Sequence, residues 1–90
     1  MKKKIAVIAK DRKDEAIRMA VGLSLMDDSV DVFVLDGKLE DSEKNRLNLE
    51  TMELTDMKIY TNTGDNEGME QFSTEDIAQR LLGYDLVIPY

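Results

Sequence analysis

A small α/β domain, with a four-stranded, mainly parallel sheet covered by helices on both faces, is what this 90-residue chain predicts. Three observations carry it. The apolar run IAVIA, Ile5 to Ala9, is rich in β-branched residues and does not alternate with polar ones, as expected of a strand covered on both sides. Strand-like and helix-like stretches then follow one another along the whole chain. Such βαβ alternation gives parallel strands joined by right-handed crossovers.

The elements read in order. After IAVIA and the charged turn KDRKD, the stretch EAIRMAVGLSLMDD has helical spacing through Ile17, Ala20, Val21 and Ser24, with Asp14 as N-cap. Met19, Leu23 and Met26 lie on another side of that helix, giving it a second apolar stripe suited to a subunit interface. VDVFVLDG is a second strand ending at the turn signal Asp36-Gly37, and EDSEKNRLNLETMEL is a second helix carrying Leu47, Leu49, Met52 and Leu54. MKIYTNT is a third strand, and Thr63 to Phe72 a loop. STEDIAQRLLGYD is a third helix opened by the capping pattern Ser73-Thr74-Glu75-Asp76, and LVIPY a fourth strand. There is no internal repeat or linker, so residues 1–90 read as one domain.

Composition narrows the function. With 42% hydrophobic and 34% charged residues the chain is a folded, soluble type rather than a disordered one. A net charge of −7 and a pI near 4.5 argue against a nucleic-acid partner, which needs a basic surface. Lys2, Lys3 and Lys4 before IAVIA resemble the start of a signal peptide, but the apolar run is interrupted after five residues, so a cytoplasmic protein is expected. No apolar run approaches the roughly 18 residues of a membrane span.

Zero cysteines remove thiol nucleophiles and thiolate metal sites, and zero histidines remove the commonest base near neutral pH. No metal or cofactor is expected, and an enzymatic role is left with Asp, Glu and Lys chemistry alone. TGDNEGME brings Asp65, Glu67 and Gly68 into a partial likeness of a calcium loop. With Gly68 sixth, however, Thr63 stands first and Thr74 twelfth, where acidic ligands are required. Neither GxGxxG nor GxxxxGK[ST] occurs, and a receiver domain would want an acidic strand end where Thr61 stands. Parallel sheets gather ligands at the carboxyl ends of their strands. This makes Lys10, Asp36, Gly37, Thr61, Asn62 and Thr63 the candidate binding residues, although a charged rim is more often only a rim.

The stretch KKIAVIAK followed by DEAIRMAVGLSLMDDSVDVFVLDGKLE resembles the opening βαβ unit of the DsrE/DsrF-like family of small sulfur-relay proteins. IAQRLLGYDLVIPY resembles that family's closing helix and strand. The likeness implies a flavodoxin-like three-layer α/β/α domain, cytoplasmic and assembled into homo- or hetero-oligomers, commonly trimers or hexamers. It also implies a persulfide-accepting cysteine near the end of the third strand, a position that falls at about Thr61. A hydroxyl cannot replace a thiolate in S–S exchange. The expectation is a non-catalytic DsrE-like domain acting through oligomerisation or as a supporting subunit, with a small-molecule or anion-binding domain as the alternative.

Overall fold

Ile5 to Ala9 are buried throughout because they form the centre of the sheet, with a neighbouring strand on each side and helices above and below. In the computed structural model, described for residues 3–25, 29–55, 57–64, 66 and 69–89, the order is β1 (Lys4–Ala9), α1 (Lys13–Ser24), β2 (Ser29–Val34), α2 (Glu43–Leu54), β3 (Lys58–Thr61), β4 (Glu70–Gln71), α3 (Thr74–Leu81) and β5 (Leu86–Pro89). All pairings are parallel, in the spatial order β4-β3-β2-β1-β5.

The expected sheet of four strands is therefore corrected to five. The added strand lies inside the stretch read as the loop Thr63 to Phe72. It escapes sequence reading because it is two exposed polar residues long, and its place is marked by pairing of Tyr60 with Glu70 and by the bond from Phe72 N–H to the Thr61 carbonyl at 2.9 Å.

Alternate residues of each strand build two cores. Val7, Val30, Val32 and Val34 pack with Ala16, Ile17 and Ala20 of α1 and Met52 of α2 on one face. On the other, Ala6, Ile8, Phe33 and Tyr60 pack beneath Ile77 of α3, with Phe72 and Tyr84 beside them. Phe33 sits 5.0 Å from Tyr60 and 5.7 Å, edge-on, from Tyr84, distances at which aromatic pairs attract.

The helix starts differ in chemistry. Ser42 and Ser73 cap α2 and α3 by accepting from the N–H groups of Asn45 and Asp76. At α1 the N-cap is Arg12, without a side-chain cap, and Asp14 lies inside the first turn. The expectation of Asp14 as cap is thereby corrected: its carboxylate instead accepts from Asn45 Nδ2 at 2.7 Å and ties α1 to α2.

The amino ends of the strands are locked by a buried acid. Asp31 of β2 accepts from the Tyr84 hydroxyl at 2.5 Å and from Lys58 N–H of β3 at 3.2 Å. Asp85 accepts from Lys4 N–H at 2.8 Å, holding β5 to β1. Burial, and next the bond to Asp31, push the Tyr84 phenol well above its ordinary range.

The two sheet edges are both blunted. At β4 the edge is two polar residues. At β5 the carbonyls of Lys3 and Ala9 bond β2 while that of Lys4 turns to β5, so even-numbered residues of β1 face β5. In the register pairing Ile5 with Leu86 and Ile8 with Pro89, Leu86 and Ile88 bond inward and Pro89 falls on the outer row, where it has no N–H to offer. No described helix is long and apolar enough to cross a membrane.

Candidate functional site

The reversal of strand order, with β2, β3 and β4 on one side of β1 and β5 on the other, leaves the carboxyl ends of the strands on one rim, where ligands bind in such sheets. Lys10 follows β1, Asp36 and Gly37 follow β2, and Thr61, Asn62 and Thr63 end β3.

Most of these residues are joined in one network. Asp36 takes the left-handed conformation at φ 59°, which Asp tolerates better than most residues. It is held there by Asn62, whose Oδ1 accepts from Asp36 N–H at 2.9 Å and whose Nδ2 donates to Asp36 Oδ1 at 3.1 Å and to Thr74 Oγ1 at 3.2 Å. Lys10 Nζ stands 3.5 Å from Asp36 Oδ2, both half exposed. The Asn62 amide, and then the Lys10 and Lys13 ammonium groups, hold the Asp36 carboxyl below the usual carboxylate range. Gly37, at φ 154°, occupies a conformation that side chains rarely adopt.

Thr61 is 0% exposed. Its Oγ1 accepts from Asn66 Nδ2 at 3.0 Å and from Thr63 N–H at 3.3 Å, so the hydroxyl is enclosed by the chain's own groups. Asn66, itself 6% exposed, also donates to the Gly37 carbonyl at 3.0 Å and accepts from Leu39 N–H at 2.7 Å. A single side chain thus closes the ends of β2 and β3 together.

The reading of residues found the rim but not its clasp. Asn66 gave no signal, being one polar residue in the polar stretch TGDNEG. Asn45, 2% exposed, stands in the first turn of α2, where Asn is an ordinary residue, and it gave no signal either. Of the interface candidates, Met19 is half-buried and Leu23 packs partly against the core shared by α1 and α2. Met26, like Asp65, Glu67 and Gly68 of the calcium-like loop, lies outside the described residues.

Beside the network lies a cleft of about 320 Å³ between the turn following β2, the first half of α2 and the segment leading to β4. Leu39, Leu49 and Met69 give it an apolar wall, and Lys38, Glu40 and Arg46 a charged rim. Arg46 is bound twice to Asp41, at 2.7 and 3.1 Å, which lowers the Asp41 carboxyl and raises the guanidinium.

No protein-family model matches the chain, no curated protein matches its sequence, and no solved structure matches its fold.

Proposed function

We propose that this chain is a non-catalytic, DsrE-like domain of flavodoxin-like α/β/α architecture that works by association, as a homo-oligomer or beside a cysteine-bearing relative. The observation that carries the reading is the enclosure of Thr61. At the position where the resemblance expects a sulfur-accepting cysteine stands a fully buried hydroxyl, bonded to Asn66 and to Thr63 N–H. A group with no exposed surface and no thiol cannot receive sulfur from a donor protein.

Association draws support from the surface. Leu82 is 86%, Leu86 46% and Val87 39% exposed around the end of α3 and β5. Large apolar side chains exposed on the surface of a small domain are suited to a partner. Because Pro89 blunts the outer row of β5, contact there is by side chains and not by extension of the sheet.

Sedimentation velocity tests this. The sedimentation coefficient of the purified chain rises with concentration up to about 0.5 mM, and the double variant Leu82→Glu, Leu86→Lys removes the rise. A coefficient that stays monomeric throughout contradicts the homo-oligomeric form of the reading. The alternative, a small-molecule-binding domain, is favoured not by the rim network, whose groups bond one another, but by the adjoining cleft.

A further inference from the structure

Asn45 differs from the other buried asparagine, Asn66, in that no described donor reaches its side-chain oxygen. Asn45 is 2% exposed, and both amide hydrogens are placed, on Asp14 Oδ1 at 2.7 Å and on the Glu40 carbonyl at 2.8 Å. These two acceptors fix which end of the amide is oxygen. No described donor reaches that Oδ1, yet no fully buried side-chain oxygen among the described residues lacks a partner, so Oδ1 keeps a small opening. The 320 Å³ cleft is the cavity that Asn45 lines. An almost buried acceptor on a residue that lines a cleft calls for a donor from a bound molecule.

The remaining walls say what kind of molecule. Lys38 and Glu40 line the rim, and neither makes an ion pair with a described residue, whereas Arg46 is engaged by Asp41. Lys38 also acts at longer range on the Asp41 carboxylate, but a rim cation and a rim anion outside any described ion pair, next to a neutral acceptor, complement a zwitterion. The wall of Leu39, Leu49 and Met69 complements an aliphatic group. The volume stands at the small end of the roughly 300–1,000 Å³ usual for ligand pockets.

We propose that this cleft is a binding site for a free α-amino acid with an aliphatic side chain. The ammonium group donates to Asn45 Oδ1 and faces Glu40, the carboxylate faces Lys38, and the side chain packs against Leu39, Leu49 and Met69. Every polar group so placed meets its complement, which is what distinguishes a zwitterion from a simple anion or cation here. The inference rests on the small-molecule reading and is independent of whether the chain associates.

The test is a titration of isotopically labelled protein with L-leucine followed by amide chemical shifts. Saturable shifts are expected at Leu39, Asn45 with its side-chain amide, Leu49 and Met69, with half-saturation on the order of 0.1–5 mM. Glycine, which lacks the aliphatic group, and 4-methylpentanoate, which lacks the ammonium, bind at least about tenfold more weakly. Lys38→Glu, an exposed substitution whose folding the same spectra report, weakens leucine binding by about tenfold or more. Absence of saturable shifts at these residues up to about 20 mM overturns the proposal. Equal binding of glycine or 4-methylpentanoate, or unchanged affinity in Lys38→Glu, also overturns it. None of these outcomes bears on sedimentation, so failure of the site and failure of association are told apart.

Discussion

Removing the Asn66 side chain strands Leu39 N–H and the Gly37 carbonyl, and leaves Thr61 Oγ1 with Thr63 N–H as its one described donor. Each buried polar group left without a partner costs about 1–3 kcal/mol, so Asn66→Ala lowers stability by about 2–4 kcal/mol in urea unfolding. Thr61→Cys probes the same enclosure from the other side. Its thiol, buried at that position, reacts with a thiol reagent at least about 100-fold more slowly in the native protein than in denaturant, because reaction waits on opening. Tyr84 gives a pH signature. Its phenol is raised in the folded state above the ordinary value of 10.0, so the unfolded chain releases this proton first. The stability it contributes is complete below about pH 10 and falls as pH rises beyond it. Tyr84→Phe makes the alkaline limb of the stability profile flatter, while costing about 1–2 kcal/mol at neutral pH by leaving Asp31 with one fewer donor. Asp36 has the opposite sign, its depressed carboxyl giving stability that is present above about pH 4 and lost on acidification. At this scale the sequence was legible where a residue's place follows from its strand end, as with Asp36 and Thr61. It was silent where a side chain reaches across the fold, because the partners of Asn66 lie 27 and 29 residues away.

Elements were readable where period and caps agree. The run from Ile5 to Ala9, the capping pattern at Ser73 and the Asp36-Gly37 turn each stand where local chemistry puts them. The two-residue strand β4 and the uncapped start of α1 were not, since one has no apolar pattern and the other is positioned by packing rather than by a cap. The cap of α3 and the edge strand β5 give expectations. Ser73→Ala removes the N-cap hydrogen bond at the start of α3 and costs about 1 kcal/mol by thermal or urea unfolding. Pro89→Val restores an N–H on the outer row of β5 beside Val87, and light scattering on heating then shows earlier aggregation than in the parent chain. Because α3 is eight residues long and is the one described helix on its face, the aromatic residues Phe33, Tyr60, Phe72 and Tyr84 complete the cover that a longer helix would provide.

For the whole molecule, size and charge pull in different directions. A chain of 90 residues buries a modest core and gains from a second subunit, while a net charge of −7 on each copy opposes self-association. Exposed Leu82 and Leu86 are uncharged, so contact through them is apolar and strengthens with salt as the repulsion is screened. The parallel pairing and the two-sided core follow from the alternation of elements that the sequence displays, whereas the strand order, the closure of the strand-end rim and the cleft beside Asn45 arise only when distant segments meet. The proposed role links a closed, thiol-free strand end to association with another protein. Native mass spectrometry of the protein gently purified from its own cells tests this most directly. A homo-oligomer, or a complex with a cysteine-bearing relative, is the result expected; a mass that remains that of a single chain, with no protein partner retained, contradicts it.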